Sequence, residues 1–155
     1  MGYNPADFIS PNRPVEQVNW NDIQQFIKKL NQKTGKQYRL PTEVEWSRAC
    51  YADSKTDTEY CGSDDIDVVA WYYSNSDRQT HPVGQKKANA FGLHDMSGNA
   101  WEWTNDCWDD DCPRRVLRGG SWTDVWVNVR AEDRDWDSER IRANDNGFRL
   151  ARPLP

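Results

Sequence analysis

No stretch of the chain stays apolar long enough to span a bilayer, and its opening residues, MGYNPADF, lack the basic and hydrophobic regions of a secretory leader. Membrane insertion is not expected, and extracellular or surface display would need a signal ahead of Met1. An excess of basic residues is missing too. Lys and Arg number 20 against 25 Asp and Glu, a net charge of −5, so nothing attracts a phosphate backbone and nucleic acid is not an expected partner. Histidine is limited to His81 and His94, neither in a nucleophile or metal motif, and there is no Walker loop, GxGxxG or CxxC. The neighbouring acids Asp64-Asp65 and Asp109-Asp110-Asp111 read as solvated loop carboxylates rather than a glycosidase pair, because no feature sets them across a cleft. Cysteine is absent after Cys112. Cys50, Cys61, Cys107 and Cys112 allow three pairings: buried thiols are the simplest reading. Local disulfides, Cys50 with Cys61 or Cys107 with Cys112, are the alternative and would imply an oxidising compartment.

Aromatics fill the gap left by a hydrophobic content of 36% and a mean hydropathy of −1.03: there are 9 Trp, 6 Tyr and 4 Phe. A chain of 155 residues suits one domain with an aromatic core. Residues 1–18, punctuated by Pro5, Pro11 and Pro14, read as an extended lead-in. Asn19 or Asn21 caps a first helix with Ile23, Phe26, Ile27 and Leu30 on one face and Gly35 at its end. Thr42 and Glu45 form a capping box for a second, which buries Trp46 and Ala49 and fades near Tyr51. From Ala52 to Thr80 the pattern is loop, with a short apolar turn at Ile66 to Trp71 and with Trp71, Tyr72 and Tyr73 pinning it to the core. In the dense segment Asn89–Trp108, Phe91, Leu93 and Met96 read as core. Trp101 and Trp103 take one side of a strand there, Ala100 and Glu102 the other. Val116–Arg118 and Gly147–Ala151 read as strands, the second with Phe148 and Leu150 on one face. Residues 123–146 between them have no period, yet hold seven acids, four bases, Trp126 and Trp136. So long a loop in a compact domain points to a binding surface, with Val127, Val129 and Ile141 as its core contacts.

Four blocks in order, YRLPTEVEWSRAC, NAFGLHDMSGNAWEWTNDCW, VLRGGSW and NGFRLAR, resemble the formylglycine-generating enzyme (sulfatase-modifying factor) family. The resemblance runs from about Asn4 to Arg152 and lacks the family's usual N-terminal portion. It implies an α+β, C-type-lectin-like fold: two helices on a small, mostly antiparallel sheet with long irregular loops, in a single domain 1–155. It further implies a structural calcium ion held by side-chain oxygens of Asp95 and Glu102 and backbone carbonyls of Gly98 and Ala100. The catalytic members carry two cysteines just beyond RGGS[WY] that bind copper. Here those places fall on Asp124 and near Val129, so copper and oxidase chemistry are not expected.

The closing segment looks most like the variable proteins of diversity-generating retroelements. In those, the stretch from RGGSW to GFRL is rewritten to change a ligand-binding face. The resemblance therefore implies a non-catalytic ligand-binding module with a variable region at 118–152. Its contact residues would be Asp124, Trp126, Asn128, Glu132, Asp133, Asp135, Trp136, Asp137 and Glu139, and its partner a protein or other surface ligand. An accessory or scaffold domain of the sulfatase-modifying factor family is the alternative.

Overall fold

The computed structural model describes residues 3–52 and 58–153; the part of the 52–80 loop at 53–57 lies outside the described residues. Helix α1, Trp20–Thr34, is capped by Asn19 rather than Asn21. The Asn19 side chain accepts from the Asp22 amide at 2.8 Å while the Asp22 carboxylate accepts from the Asn19 amide. Gly35, left-handed at φ 68°, ends the helix by donating to Asn31. Helix α2, Glu43–Tyr51, opens on the Thr42–Glu45 capping box and buries Trp46 and Cys50, with Ala49 partly buried beside them. The apolar turn after it is a short helix α3, Ile66–Val69, running into strand β1, Ala70–Trp71, which pairs in parallel with β2, Ser97–Gly98.

The main sheet contains β3 (Trp101–Cys107), β4 (Arg114–Arg118), β5 (Arg134–Ser138) and β6 (Asn146–Gly147), in the order β5-β4-β3-β6. The β3/β4 and β4/β5 pairs are antiparallel and β3/β6 is parallel. Alternation along β3 divides the core. Trp101 and Trp103, with Leu117 of β4, pack with Val18, Ile23, Ile27 and Leu40 on the α1 side, and the Trp103 indole N–H is satisfied by the Val18 carbonyl at 3.1 Å. Glu102 turns to the α2 side, where Trp46 packs with Cys50, Cys61, Met96 and Ala131. Truncating Trp46 or Trp103 to Ala would cost about 3–5 kcal/mol, the range for a fully buried aromatic. The expected α+β architecture, two helices on a small mostly antiparallel sheet, is the one present.

Several expectations need correction. The strand placed at Gly147–Ala151 shrinks to Asn146–Gly147 plus a bridge from Ala151 to Arg39. Between them Phe148 and Leu150 pack on the α1 core while Arg149 reaches across to Glu102. Phe91 is 51% exposed, since its amide and that of Gly92 fold back onto Asn89 and put the ring at the tip of a turn. Ile141 is 43% exposed and Val127 half-buried, leaving Val129 as the buried contact of that loop. The cysteines are not free thiols: Cys50–Cys61 and Cys107–Cys112 are disulfides. The 123–146 segment, read as aperiodic, contains a 3₁₀ turn at Trp126–Val129 and all of β5.

Candidate ligand-binding face

The 123–146 segment is fastened to the scaffold mainly by its backbone. Arg118, the last residue of β4 and 3% exposed, donates through Nη2 to the Ala131 carbonyl at 2.8 Å and Ser47 Oγ at 3.1 Å. Its Nη1 donates to the carbonyls of Glu132, at 3.1 Å, and Asp133. Burial lowers the Arg118 pKa, and Glu43, 3.8 Å from Nε, works the other way; a guanidinium retains its charge under both influences. The Ala131 amide donates to the Glu59 carbonyl, the Tyr73 amide to the Asp124 carbonyl, and five residue pairs tie β5 to β4. Gly120, at φ 74°, lies so close to the 3₁₀ turn that a Cβ there would stand 2.6 Å from the Asn128 carbonyl oxygen. Only glycine fits that approach.

Large aromatics project from this frame, each backed by an arginine that a carboxylate holds. Arg130 lies 4.7 Å from the Trp126 ring and pairs with Glu59 at 3.0 Å. Arg114 lies 4.4 Å from the Trp136 ring and its Nε donates to Asp109 at 2.7 Å. Arg134 lies 4.4 Å from the Trp108 ring and pairs with Glu43 at 2.7 Å. The Trp108 and Trp136 rings meet at 6.4 Å between centroids. Such stacking fixes a ring before any partner arrives, which lowers the ordering cost of binding. Trp126 is 50% and Trp136 39% exposed, so both keep surface to offer.

The nine expected contact residues do not form one surface. Trp126, Glu132, Asp135 and Trp136 are exposed. Alternation along β5 sets Trp136 with Arg134 on the α2 side and Asp135 with Asp137 on the α1 side, opposite Leu117 and Arg115. Asp135 and Asp137 accept from the amides of Trp136 and Ser138, which covers donors on the outer edge of the sheet. Asp137 is half-buried, with its pKa raised by burial, and takes a bond from Asn146. Asn128 donates to Asp133, and Glu139 approaches Arg115 at 4.0 Å. Asp124 is turned inward: its carboxylate accepts from the Ser121 amide at 2.9 Å and from the Ser121 hydroxyl, and burial raises its pKa. It braces the turn rather than facing solvent. Trp108, Arg114 and Arg134 were absent from the sequence-based set. The R-D-W-D-S alternation and the Cys107 to Cys112 spacing were the signals that could have found them.

Residues 3–154 match the sulfatase-modifying factor enzyme 1-like domain. The chain belongs to this family. It is similar to chaperone protein LppX of Paenibacillus barcinonensis, 31% identical over 180 residues covering 79% of this chain and 63% of that protein. It is also similar to the formylglycine-generating enzyme of Bos taurus, 31% identical over 172 residues, with 91% of this chain and 44% of the enzyme covered. Among solved structures, Treponema denticola variable protein 1 superposes with a TM-score of 0.91 at 31% identity, over 99% of this chain and 79% of that one. The chain thus spans under two thirds of the length of both curated relatives.

The calcium ion that the sulfatase-modifying factor fold implies can be tested against the side chains present. Asp95, Ala100 and Glu102 line one open hollow of about 290 Å³, and Gly98 lies between them in the chain. Asp95 Oδ2 accepts from the Gly84 amide at 2.8 Å, but Oδ1 is buried with no partner. Burial raises the Asp95 pKa, the Gly84 bond and Arg149 oppose that, and Glu102 adds to it. An orphaned carboxylate oxygen is what a hard cation satisfies. Glu102, by contrast, is already served by Arg149 at 2.6 Å and by the Trp46 indole at 2.6 Å. Among the described residues no three His, Cys, Asp or Glu side chains gather as a metal cluster. Of the four expected donors, the Asp95 carboxylate alone is shown with an oxygen left without a partner, while Glu102 is taken by Arg149 and Trp46.

Proposed function

We propose that the chain is a non-catalytic ligand-binding module in which segment 118–152 displays a changeable face on a constant scaffold, as a variable protein of a diversity-generating retroelement does. One observation carries the reading: Arg118 holds the segment by the carbonyls of Ala131, Glu132 and Asp133, so the side chains between those anchors are not needed to hold it. The likeness to Treponema denticola variable protein 1 supports it. Two disulfides suit an oxidising setting, and no helix among the described residues is long and apolar enough to cross a membrane.

The test is a pair of randomised libraries screened for protease-resistant expression. Randomising Trp126, Glu132, Asp135 and Trp136 is expected to leave most clones folded, whereas randomising Asp124, Val129 and Ala131 leaves few. Equal losses in both libraries would refute a scaffold separable from its face. The chaperone relative favours a second reading, an accessory domain acting on another protein. A template copy of 118–152 with adenines at the matching codons, beside a reverse-transcriptase gene, separates the two.

A further inference from the structure

The two disulfides stand in opposite surroundings. Cys50 and Cys61 are buried against Trp46 and Met96, so a reductant reaches them only when that core opens. Cys107 is exposed and Cys112 half-buried, and their bond closes the turn that joins β3 to β4. The charges beside the two exposed sulfurs also differ. Arg115, the ladder partner of Cys107, brings Nη1 to 3.4 Å from the Cys107 sulfur, whereas Cys112 directly follows the exposed acids Asp110 and Asp111. A guanidinium favours a thiolate and carboxylates disfavour one, which makes Cys107 the better leaving group of the pair. Cys112 also holds φ at 58°, a left-handed backbone that residues other than glycine rarely adopt, and opening the ring releases it.

We infer that Cys107–Cys112 is a thiol-exchange site, opened by a dithiol reductant while Cys50–Cys61 stays closed. A thiolate of the dithiol attacks the Cys112 sulfur, forming a mixed disulfide and breaking the bond to Cys107, which leaves as a thiolate beside Arg115 and takes a proton from water. The second thiol of the dithiol then displaces Cys112; the dithiol is oxidised to its disulfide, and two electrons and two protons pass to the protein. The ring that opens holds Asp109, whose carboxylate takes the bond from Arg114 Nε at 2.7 Å, and Arg114 in turn backs the Trp136 ring. The Trp108 amide, inside the same ring, donates to the Arg114 carbonyl at 2.9 Å. Reduction therefore loosens the support of Trp108 and Trp136 and leaves the core below them in place.

The experiment is timed reduction of the folded chain by dithiothreitol, with free thiols trapped by iodoacetamide and assigned by peptide mass spectrometry, and with the indole N–H signals followed by NMR. Cys107 and Cys112 should be trapped at least about a hundredfold sooner than Cys50 and Cys61. The Trp108 and Trp136 signals should shift while those of Trp46 and Trp103 stay. Arg115→Gln should slow the opening about threefold, and Arg115→Lys should recover most of the rate, because the charge and not the shape of the side chain stabilises the leaving thiolate. Opening of both disulfides together, or of Cys50–Cys61 first, overturns the exchange site. An unchanged rate in Arg115→Gln overturns the choice of leaving sulfur, and unmoved Trp108 and Trp136 signals in Cys107→Ser/Cys112→Ser overturn the link to the rings. None of these readouts uses a ligand, so each stands apart from the binding-module reading.

Discussion

Replacing Arg118 by Ala tests the claim that the displayed segment hangs on one buried guanidinium. The side chain is 4% exposed and serves three carbonyls and Ser47, with Glu43 beside it. Its removal orphans the carbonyls of Ala131, Glu132 and Asp133 and leaves Glu43 facing a single cation, Arg134. Breaking a buried charged partnership of this kind costs about 3–5 kcal/mol. In a chain of 155 residues each kcal/mol moves the melting temperature by about 2–4 °C, so a fall of about 10 °C is expected. Arg118→Lys should recover only part of it, because one ammonium cannot span the carbonyls that the guanidinium fork spans. Hydrogen exchange localises the effect: the Ala131 amide, now bonded to the Glu59 carbonyl at 2.8 Å, should lose protection before the amides of β3. A fall below about 2 °C, or unchanged protection at Ala131, would refute the anchoring argument, since at least one kcal/mol would have to appear at the melting point.

Gly120→Ala should cost about 2–4 kcal/mol, the sum of a left-handed backbone and a methyl forced to 2.6 Å from the Asn128 carbonyl; a thermal melt within a degree of the parent would remove the close approach. Chelating calcium is expected to lower the melting temperature of the parent chain and leave Asp95→Asn unmoved, because an ion bound only by the folded state stabilises it; identical melts with and without calcium for the parent would dispose of the site. Glu16, Asp95, Asp124 and Asp137 are each raised chiefly by burial, so they bind their protons more tightly folded than unfolded, and their contribution to stability grows as pH falls from neutral through those raised values. Glu45, held to about 2 first by its Arg39 partner and then by the Thr42 amide, has the opposite sign: its stabilisation is complete above 4.5 and drains away as pH falls towards about 2. Melting temperature should therefore rise on mild acidification and turn down below about 4.5, and a steady decline from neutral pH would contradict the burial of the first four groups.

What could be read from the sequence was whatever depends on neighbours in the chain. The two long helices announce themselves locally, α1 through a capping asparagine, an apolar face from Ile23 to Leu30 and the closing Gly35, α2 through Thr42 with Glu45 three residues on, and the Trp101-Glu102-Trp103 alternation divides the core correctly because β3 is flanked by a helix on each side. Strand β5 escaped because it is an edge strand with both sides partly wet: its alternation sets Arg and Trp against Asp, and a hydrophobic period has nothing to register. The setting of Asp124 was illegible for a related reason. An aspartate that bonds Ser121 three residues earlier and one that faces a ligand have the same composition around them, and only the turn decides between them.

The anchor itself explains why the candidate site was half legible. Arg118 and the carbonyls it grips are 13 to 15 residues apart, and carbonyls have no letter in a sequence. A backbone anchor constrains where the chain goes but says nothing about which side chains point outward, so it yields a segment without a face. The face appears only when the ladder register of β5 against β4 is known, since pairing Trp136 with Val116 is what puts that indole beside Arg114 and Trp108. A segment held by its own carbonyls keeps those bonds whichever side chains stand at Glu132, Asp135 and Trp136.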